Sequence, residues 1–548
     1  MLDKKWLYFL LIIVLLSTIL LMCLVPPVSR DALTHHLAVP KLYVQQGGVI
    51  ELPDIIPSYY PQLLDLIYCI PLMFNNDIVP KYIHFSFALL TAFLVLNYTQ
   101  KKVGSIYAFF SVLFFLSMPV IVKLSVTVYV DLGLIFFSTA SLLCLLKWHE
   151  QKTFFWVILA AIFCGLALST KYNGLISLFL LTFFTPVIYL KMEKKNLSIQ
   201  FKALGFAFMF FFISIFVFSP WMIKNYIWTK NPVYPLYDNL FNSNDELNNN
   251  KTTSKPTMNH FLVRKHVYKE PWWKTALIPV RIFFQGEDDN PKFFDGKLNP
   301  LLLILPIFAF VSFRAYKPGQ DFFEQKVLLS FSFLYIMSVF FQQDMRIRWI
   351  GPAIPPLVIL SAYGVKNIFR KILPQIKKND KGMYIYRGCI FISTAFVFSM
   401  MSLNGIYLYK LFKYVDPLLY LSKRVTREEY IEKYRPEFAV LNFSNSNLNE
   451  NTKLLGLFLG NRGYYSDHEI NFNTGDLREI IKKSNTCNDI LSELKLLKFT
   501  DIVLNYEKFN NWVNVNFSKQ EKIIIKDFFN LSVIISFTKG GYGLYHLK

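Results

Sequence analysis

The sequence predicts an all-α polytopic membrane protein, a helical bundle of about 11 to 13 transmembrane helices followed by a small C-terminal α/β soluble domain. Two observations carry this. Of 548 residues, 53% are hydrophobic and only 17% are charged, and the mean hydropathy is +0.34. A single water-soluble core cannot bury so much apolar surface, so lipid must solvate much of it. The apolar residues are also gathered into long runs up to about position 410, beyond which the chain is polar and rich in Asn and Lys.

The first run, 6–25, follows Lys4 and Lys5. It resembles a leader, but its apolar stretch is too long and lacks a small-residue cleavage site, so it reads as a retained first helix. Runs long enough, or nearly so, for a span of about 20 residues follow at 80–98, 104–123, 128–148, 154–170, 172–190, 201–219, 298–314, 325–342, 349–368 and 386–408. Two further runs, 61–74 and 275–285, are shorter and interrupted. Orientation decides their nature. With Lys4 and Lys5 cytoplasmic, the basic turns at Lys101 and Lys102, 147–152 and 191–195 lie inside only if 61–74 does not cross. Likewise 314–317 and 366–378 lie inside only if 275–285 does not cross. About 11 crossings result, with both short runs as interfacial helices on the outer face.

The expected organisation is a transmembrane domain over 1–410, with outer loops 26–79 and 220–297, and an outer domain over 411–548. Strand-like runs at 454–459, 502–505 and 531–537, separated by helical stretches, give that domain its α/β character. The setting is a multi-pass protein of a bacterial inner membrane, with a cytoplasmic N-terminus and a periplasmic C-terminal domain.

Against 37 Asp and Glu stand 58 Lys and Arg, a formal charge of +21. Many of the positive charges sit in short loops between apolar runs, where they orient the helices, so membrane lipids and not nucleic acid are the expected partners. Six cysteines are scattered; Cys23, Cys144, Cys164 and Cys389 lie in apolar runs, and the spacing forms neither a zinc motif nor a disulfide framework. The sequence contains no fixed-period repeat, no Walker A sequence and no Rossmann glycine fingerprint, and so no sign of direct nucleotide use. On an outer face an activated substrate must arrive ready made, and a sugar on a polyprenyl phosphate meets that need.

Chemistry could sit where charge meets the outer ends of the runs. Asp31, in the segment Arg30, Asp31, Ala32, Leu33, Thr34, His35, His36, stands at the mouth of the bundle, where a carboxylate can serve as a general base. Its bland alternative is a helix cap. Asp131 enters an apolar run, which is costly unless it faces protein or a polar cavity. Lys171 lies on the outer side, where the positive-inside rule does not explain it, and a cation there suits a phosphate. Arg346 and Arg348, two apart at a helix start, could flank a phosphate or pyrophosphate with their forked guanidinium groups. Snorkelling or carboxylate pairing is the alternative for all three. Trp221, Asn225 and Tyr226 open the second outer loop, where aromatic rings could stack on a sugar or form an interfacial belt.

Taken in order, these features resemble the GT-C superfamily of integral membrane glycosyltransferases, in the branch that includes protein O-mannosyltransferases and lipid A aminoarabinose transferases. The likeness covers roughly 1–410. It rests on an acidic residue soon after the first helix, a Pro-started interfacial helix at Tyr59, Tyr60 and Pro61, and a second Asp in the bundle. It extends through Pro220, Trp221, Asn225, Tyr226 and the Asn231 to Pro235 stretch to Arg346, Arg348 and Trp349 with the prolines after them. The chain departs from the mannosyltransferase pattern in having no Glu directly after Asp31, and it carries His35 and His36 where an aromatic residue is common.

The resemblance implies that Asp31 and Asp131 are the catalytic carboxylates and that Lys171, Arg346 and Arg348 hold the lipid phosphate. His35, His36, Tyr59, Tyr60, Trp221, Asn225 and Tyr226 would line the substrate cavity. The implied activity is a hexosyl or pentosyl transferase of the cell envelope, moving a sugar from a polyprenyl-phosphate-linked donor to a lipid, glycan or protein acceptor, with inversion. No cofactor beyond a possible divalent metal is implied. Two other classes compete, a lipid or glycolipid transporter and a non-catalytic surface-polysaccharide assembly protein; the inverted repeats usual in transporters are not visible.

Overall fold

The computed structural model describes residues 5–193, 197–242, 259–310, 320–342, 344–369, 382–449 and 451–548. The basic turn 314–317, most of 366–378, the end of 191–195 and the last part of the run 298–314 lie outside them.

Each of the eleven apolar runs carries helix. Among the described residues seven helices are long and apolar enough to cross a membrane, and eight if the bent pair Ser105–Ser117 and Pro119–Ser125 is one span. That pair bends by 63° because Pro119 cannot continue the hydrogen-bond ladder of the helix before it. The remaining runs form shorter helices, Phe154–Thr170, Leu301–Phe310 and Ile354–Asn367. The run 349–368 is thus not one uniform helix: a 3-10 turn, Ile347–Ala353, precedes Ile354–Asn367, and Pro352, Pro355 and Pro356 fall at the junction. The predicted outer loop 220–297 begins later than expected, since helix Leu197–Thr229 continues through Pro220. The two short runs form an 11-residue helix, Leu63–Met73, and two turns, Trp272–Ala276 and Ile278–Arg281, well below the span of about 20 residues that a crossing needs.

Salt bridges mark the two ends of the bundle. At one end Lys102 pairs with Glu324 at 2.8 Å and Lys101 with Glu150 at 2.7 Å. At the other, Lys171 pairs with Asp131 at 2.7 Å and Arg348 with Asp31 at 2.6 Å. Between them the outward faces are apolar: Phe208, Phe212 and Phe216, each four residues apart on Leu197–Thr229, are all exposed, a stripe suited to lipid and not to water. Inside, small residues let backbones approach. A Cβ on Gly364 would lie 2.0 Å from the Leu305 carbonyl oxygen, and one on Gly165 would lie 2.6 Å from that of Ser214.

The C-terminal part holds a five-stranded sheet, β1 (Lys453–Leu457), β2 (Glu469–Asn471), β3 (Asp501–Asn505), β4 (Val533–Lys539) and β5 (Tyr542–Leu547), in the order β2-β1-β3-β5-β4. β1 runs parallel to β2 and β3, while β5 runs antiparallel to β3 and β4. The runs at 454–459 and 502–505 match β1 and β3. The third, 531–537, overlaps β4, but its first residues close a π-helical turn, Phe528–Ser532. β2 is three residues long, and β5 follows Gly540 and Gly541 and contains Gly543, so neither shows the β-branched signal of a strand. Helix Gly382–Val415 enters this part without a break at position 410.

Candidate active site

The first helix ends before Pro26 and Pro27, whose rings stop it. The extended chain that follows is held from helix Val79–Lys102, where buried Lys81 donates from Nζ to the Val25 carbonyl oxygen at 2.7 Å. Asp31 then precedes a single π-helical turn, Ala32–His36, without capping it by its side chain. Its carboxylate instead accepts from Arg348 Nη1 at 2.6 Å. Burial alone would raise this carboxyl, but Arg348 and the neighbouring His35 and His36 outweigh it and hold Asp31 well below the usual carboxylate range. Arg348 lies over the Tyr129 ring, 5.1 Å from its centroid, and acts electrostatically on Asp131 as well as on Asp31.

Asp131 opens helix Asp131–Gln151 with its side chain 1% exposed. One oxygen takes the Lys171 ammonium at 2.7 Å, while the buried Oδ2 has no hydrogen-bond partner among the described residues. Lys171 directly follows helix Phe154–Thr170, so the end of one helix meets the start of another. His84 fixes that start: the Leu132 N–H donates to its Nε2 at 3.0 Å, and its Nδ1 donates to the carbonyl oxygens of Leu124 and Thr127 at 3.0 and 2.9 Å. These partners leave one tautomer of a neutral ring.

Four of the predicted residues, Asp31, Asp131, Lys171 and Arg348, therefore form one cluster, brought together from four separate parts of the chain. His35 and His36 adjoin it. His36 Nδ1 meets Asp65 Oδ1 at 2.9 Å, and His35 Nδ1 meets Thr34 Oγ1 at 2.8 Å.

The other predicted residues are placed differently. Arg346 pairs with Asp295, 3.4 Å away, and Arg348 with Asp31. Asn225 donates to the Tyr59 carbonyl oxygen at 2.9 Å and is buried as a strut, while the Tyr59 hydroxyl donates to Glu51 at 2.7 Å. The Tyr60 ring lies edge-on to that of Tyr172, 5.8 Å between centroids. Trp221 packs in the core beside Lys224, and Tyr226 is exposed under Lys230, which fits a belt.

Sequence reasoning missed Lys81, His84, Asp65 and Tyr129. Lys81 and His84 carried a signal, since ionisable residues inside an apolar run are costly unless paired. Asp65, inside the run 61–74, carried the same signal, and Tyr129 carried none. As for a metal, no group of three or more His, Cys, Asp or Glu that could hold one occurs among the described residues; Asp31 accepts from a guanidinium and His36 meets the Asp65 carboxylate.

Comparison with known proteins bears on the fold. Residues 76–230 match the family profile of dolichyl-phosphate-mannose-protein mannosyltransferases. No curated protein matches the chain by sequence. Among solved structures, ArnT of Cupriavidus metallidurans bound to undecaprenyl phosphate superposes with a TM-score of 0.57 at 13% identity, covering 99% of this chain and 98% of that one. Its apo state gives 0.55 at 12% identity over the same shares. The chain thus has the fold of the GT-C membrane glycosyltransferases, and over 76–230 it carries the sequence profile of the dolichyl-phosphate-mannose-protein mannosyltransferases.

Proposed function

We propose that this protein is a glycosyltransferase that moves a sugar from a polyprenyl-phosphate donor to a lipid, glycan or protein acceptor. The observation that carries it is the cluster of Asp31, Arg348, Asp131 and Lys171 at one end of an apolar bundle. It supplies a carboxylate base and two cations for a phosphate, where a lipid-borne substrate can reach both. The mannosyltransferase profile over 76–230 and the likeness to a structure holding undecaprenyl phosphate support the same reading.

In this mechanism the acceptor hydroxyl or amine attacks the anomeric carbon. A new bond forms to that carbon, its bond to the phosphate oxygen breaks, and the polyprenyl phosphate leaves with the electron pair. Asp31 takes the acceptor proton. Arg348 and Lys171 stabilise the charge that grows on the leaving phosphate, an effect enlarged by the sheltered site. Asp131 holds Lys171 in place. A carboxylate paired with Arg348 is a weak base, but a phosphate arriving beside Arg348 competes for the guanidinium and so strengthens Asp31 when the donor is bound.

The site lies on the outer face of a bacterial inner membrane, with the N-terminus cytoplasmic and 411–548 as a periplasmic domain above 1–410. The alternation of basic turns along the sequence supports this orientation.

The test is transfer in membranes supplied with a panel of radiolabelled polyprenyl-phosphate hexoses and pentoses. Asp31→Asn should lose transfer by about 100-fold or more while its expression and melting temperature stay near wild type. Full transfer in that variant removes Asp31 from the mechanism, and transfer of none of the panel by the wild type removes the reading itself.

A further inference from the structure

The C-terminal domain reaches into the surroundings of Asp31. Its strand β1 leaves the sheet through three residues of positive φ, Phe458, Gly460 and Asn461, a tight reversal that throws Arg462 to Asp467 toward the membrane part. There the Tyr464 backbone N–H donates to the Leu33 carbonyl oxygen at 3.1 Å, inside the π-helical turn that Asp31 precedes. The Tyr465 hydroxyl donates to the Pro27 carbonyl oxygen at 2.8 Å, on the other side of Asp31. Lys41 closes the contact by donating to the carbonyl oxygens of Tyr464 and Ser466 at 3.0 and 2.9 Å and to Asp467 at 2.8 Å. The Tyr464 ring packs on an apolar cluster that includes Ala32, Leu37, Leu64 and Val130. Arg427, from the same domain, pairs with Asp77 near the start of helix Val79–Lys102.

A turn that caps nothing through its own side chain and follows two prolines has few bonds of its own. Lys81 holds the chain ahead of it at Val25, and Arg348 and Asp65 bind Asp31 and His36 at its two ends. We propose that the 460–467 turn of the C-terminal domain is a positioning element of the reaction, which holds the Asp31 carboxylate in register with Arg348 through Tyr464, Tyr465 and the Lys41 that binds Tyr464, Ser466 and Asp467. The proposal rests on the glycosyltransferase reading. The domain is then part of the active site's support, and Asp31 is pinned fore and aft by groups more than 400 positions away. Misplacement by about 1 Å can cost about 100-fold in rate, so loosening this brace acts on turnover before it acts on binding.

The test uses the full chain in lipid nanodiscs, with Tyr465→Phe, which removes one hydroxyl, and Lys41→Met beside the conservative Lys41→Arg. Each is measured for transfer from the polyprenyl-phosphate sugar panel and for hydrogen exchange of the peptides spanning 26–37. The expected result for Tyr465→Phe and Lys41→Met is a drop in kcat of about 10-fold at nearly unchanged KM for the donor. Exchange should be faster in 26–37 and unchanged in strands β1 and β3, with Lys41→Arg recovering part of both. Lys539→Met, which breaks a remote ion pair with Glu432, should change neither. Wild-type kcat and wild-type exchange in both variants overturn the brace. Absence of transfer by the wild-type protein overturns the glycosyltransferase reading, and the positioning role with it, while the exchange data still report whether the contact holds the turn.

Discussion

Arg348 Nη1 lies 2.6 Å from Asp31 Oδ2 although the two residues are 317 positions apart, and the pair joins the turn after the first helix to the 3-10 turn Ile347–Ala353. It holds the Asp31 carboxyl below its ordinary range, which sets the sign of a pH effect. A group whose folded value is depressed contributes stability that is fully present above the unfolded value of about 4 and is lost as pH falls through the folded value. For catalysis, the acid limb of kcat/KM reports the free enzyme and that of kcat the donor complex. Because donor phosphate competes for Arg348, the limb of kcat should lie at higher pH than the limb of kcat/KM. Coincident limbs in the two profiles contradict the competition.

The buried pair of Asp131 and Lys171 gives a second expectation. Lys171→Met leaves a carboxylate 1% exposed without the ammonium bonded to it, and breaking such a pair from one side costs about 3–5 kcal/mol. Adding Asp131→Asn removes the stranded charge and should restore most of the loss. Thermal unfolding of the detergent-solubilised variants measures both; equal melting temperatures for the single and double variants refute the pairing argument.

His84 holds an N–H and two carbonyl oxygens with one neutral ring. His84→Leu keeps much of the volume and takes the imidazole partner from the Leu132 N–H and the Thr127 carbonyl oxygen, while the Leu124 carbonyl oxygen keeps its bonds from Thr127, at about 1–3 kcal/mol for each buried group left unsatisfied. His84→Gln, which can both donate and accept, should lose less. An order of melting temperatures with Leu at or above Gln would show that shape alone fills this position.

Helix approach is testable at glycines that differ in surroundings. On Gly364 a Cβ would meet the Leu305 carbonyl oxygen at 2.0 Å, whereas on Gly205 it meets nothing within 4 Å. Gly364→Ala should therefore lower the melting temperature by pushing two helices apart. Gly205→Ala, in the interior of helix Leu197–Thr229, should leave it unchanged or raise it slightly, by about 0.5–1 kcal/mol of helix preference. The reverse order would mean that the helices are not in close contact at Gly364.

What the sequence determined by itself was the class of solvent and the placing of helices. An apolar run of about 20 residues has essentially one stable state in lipid, with every backbone group bonded inside its own segment, so it can be recognised without knowing its neighbours. The positions of Asp31, Asp131, Lys171 and Arg348 were legible for a related reason, since a charge at the end of such a run is costly unless something receives it. Only the tertiary structure decided which charges meet. It joined Arg348 to Asp31 and Arg346 to Asp295, although the two arginines stand two residues apart. It also made struts of Asn225 and Tyr59 and brought Tyr464 and Tyr465 from the far domain against the Asp31 turn. Such pairings depend on the direction in which each side chain leaves its helix and on how closely small residues let the helices approach. Neither is encoded in the local pattern of apolar and charged residues.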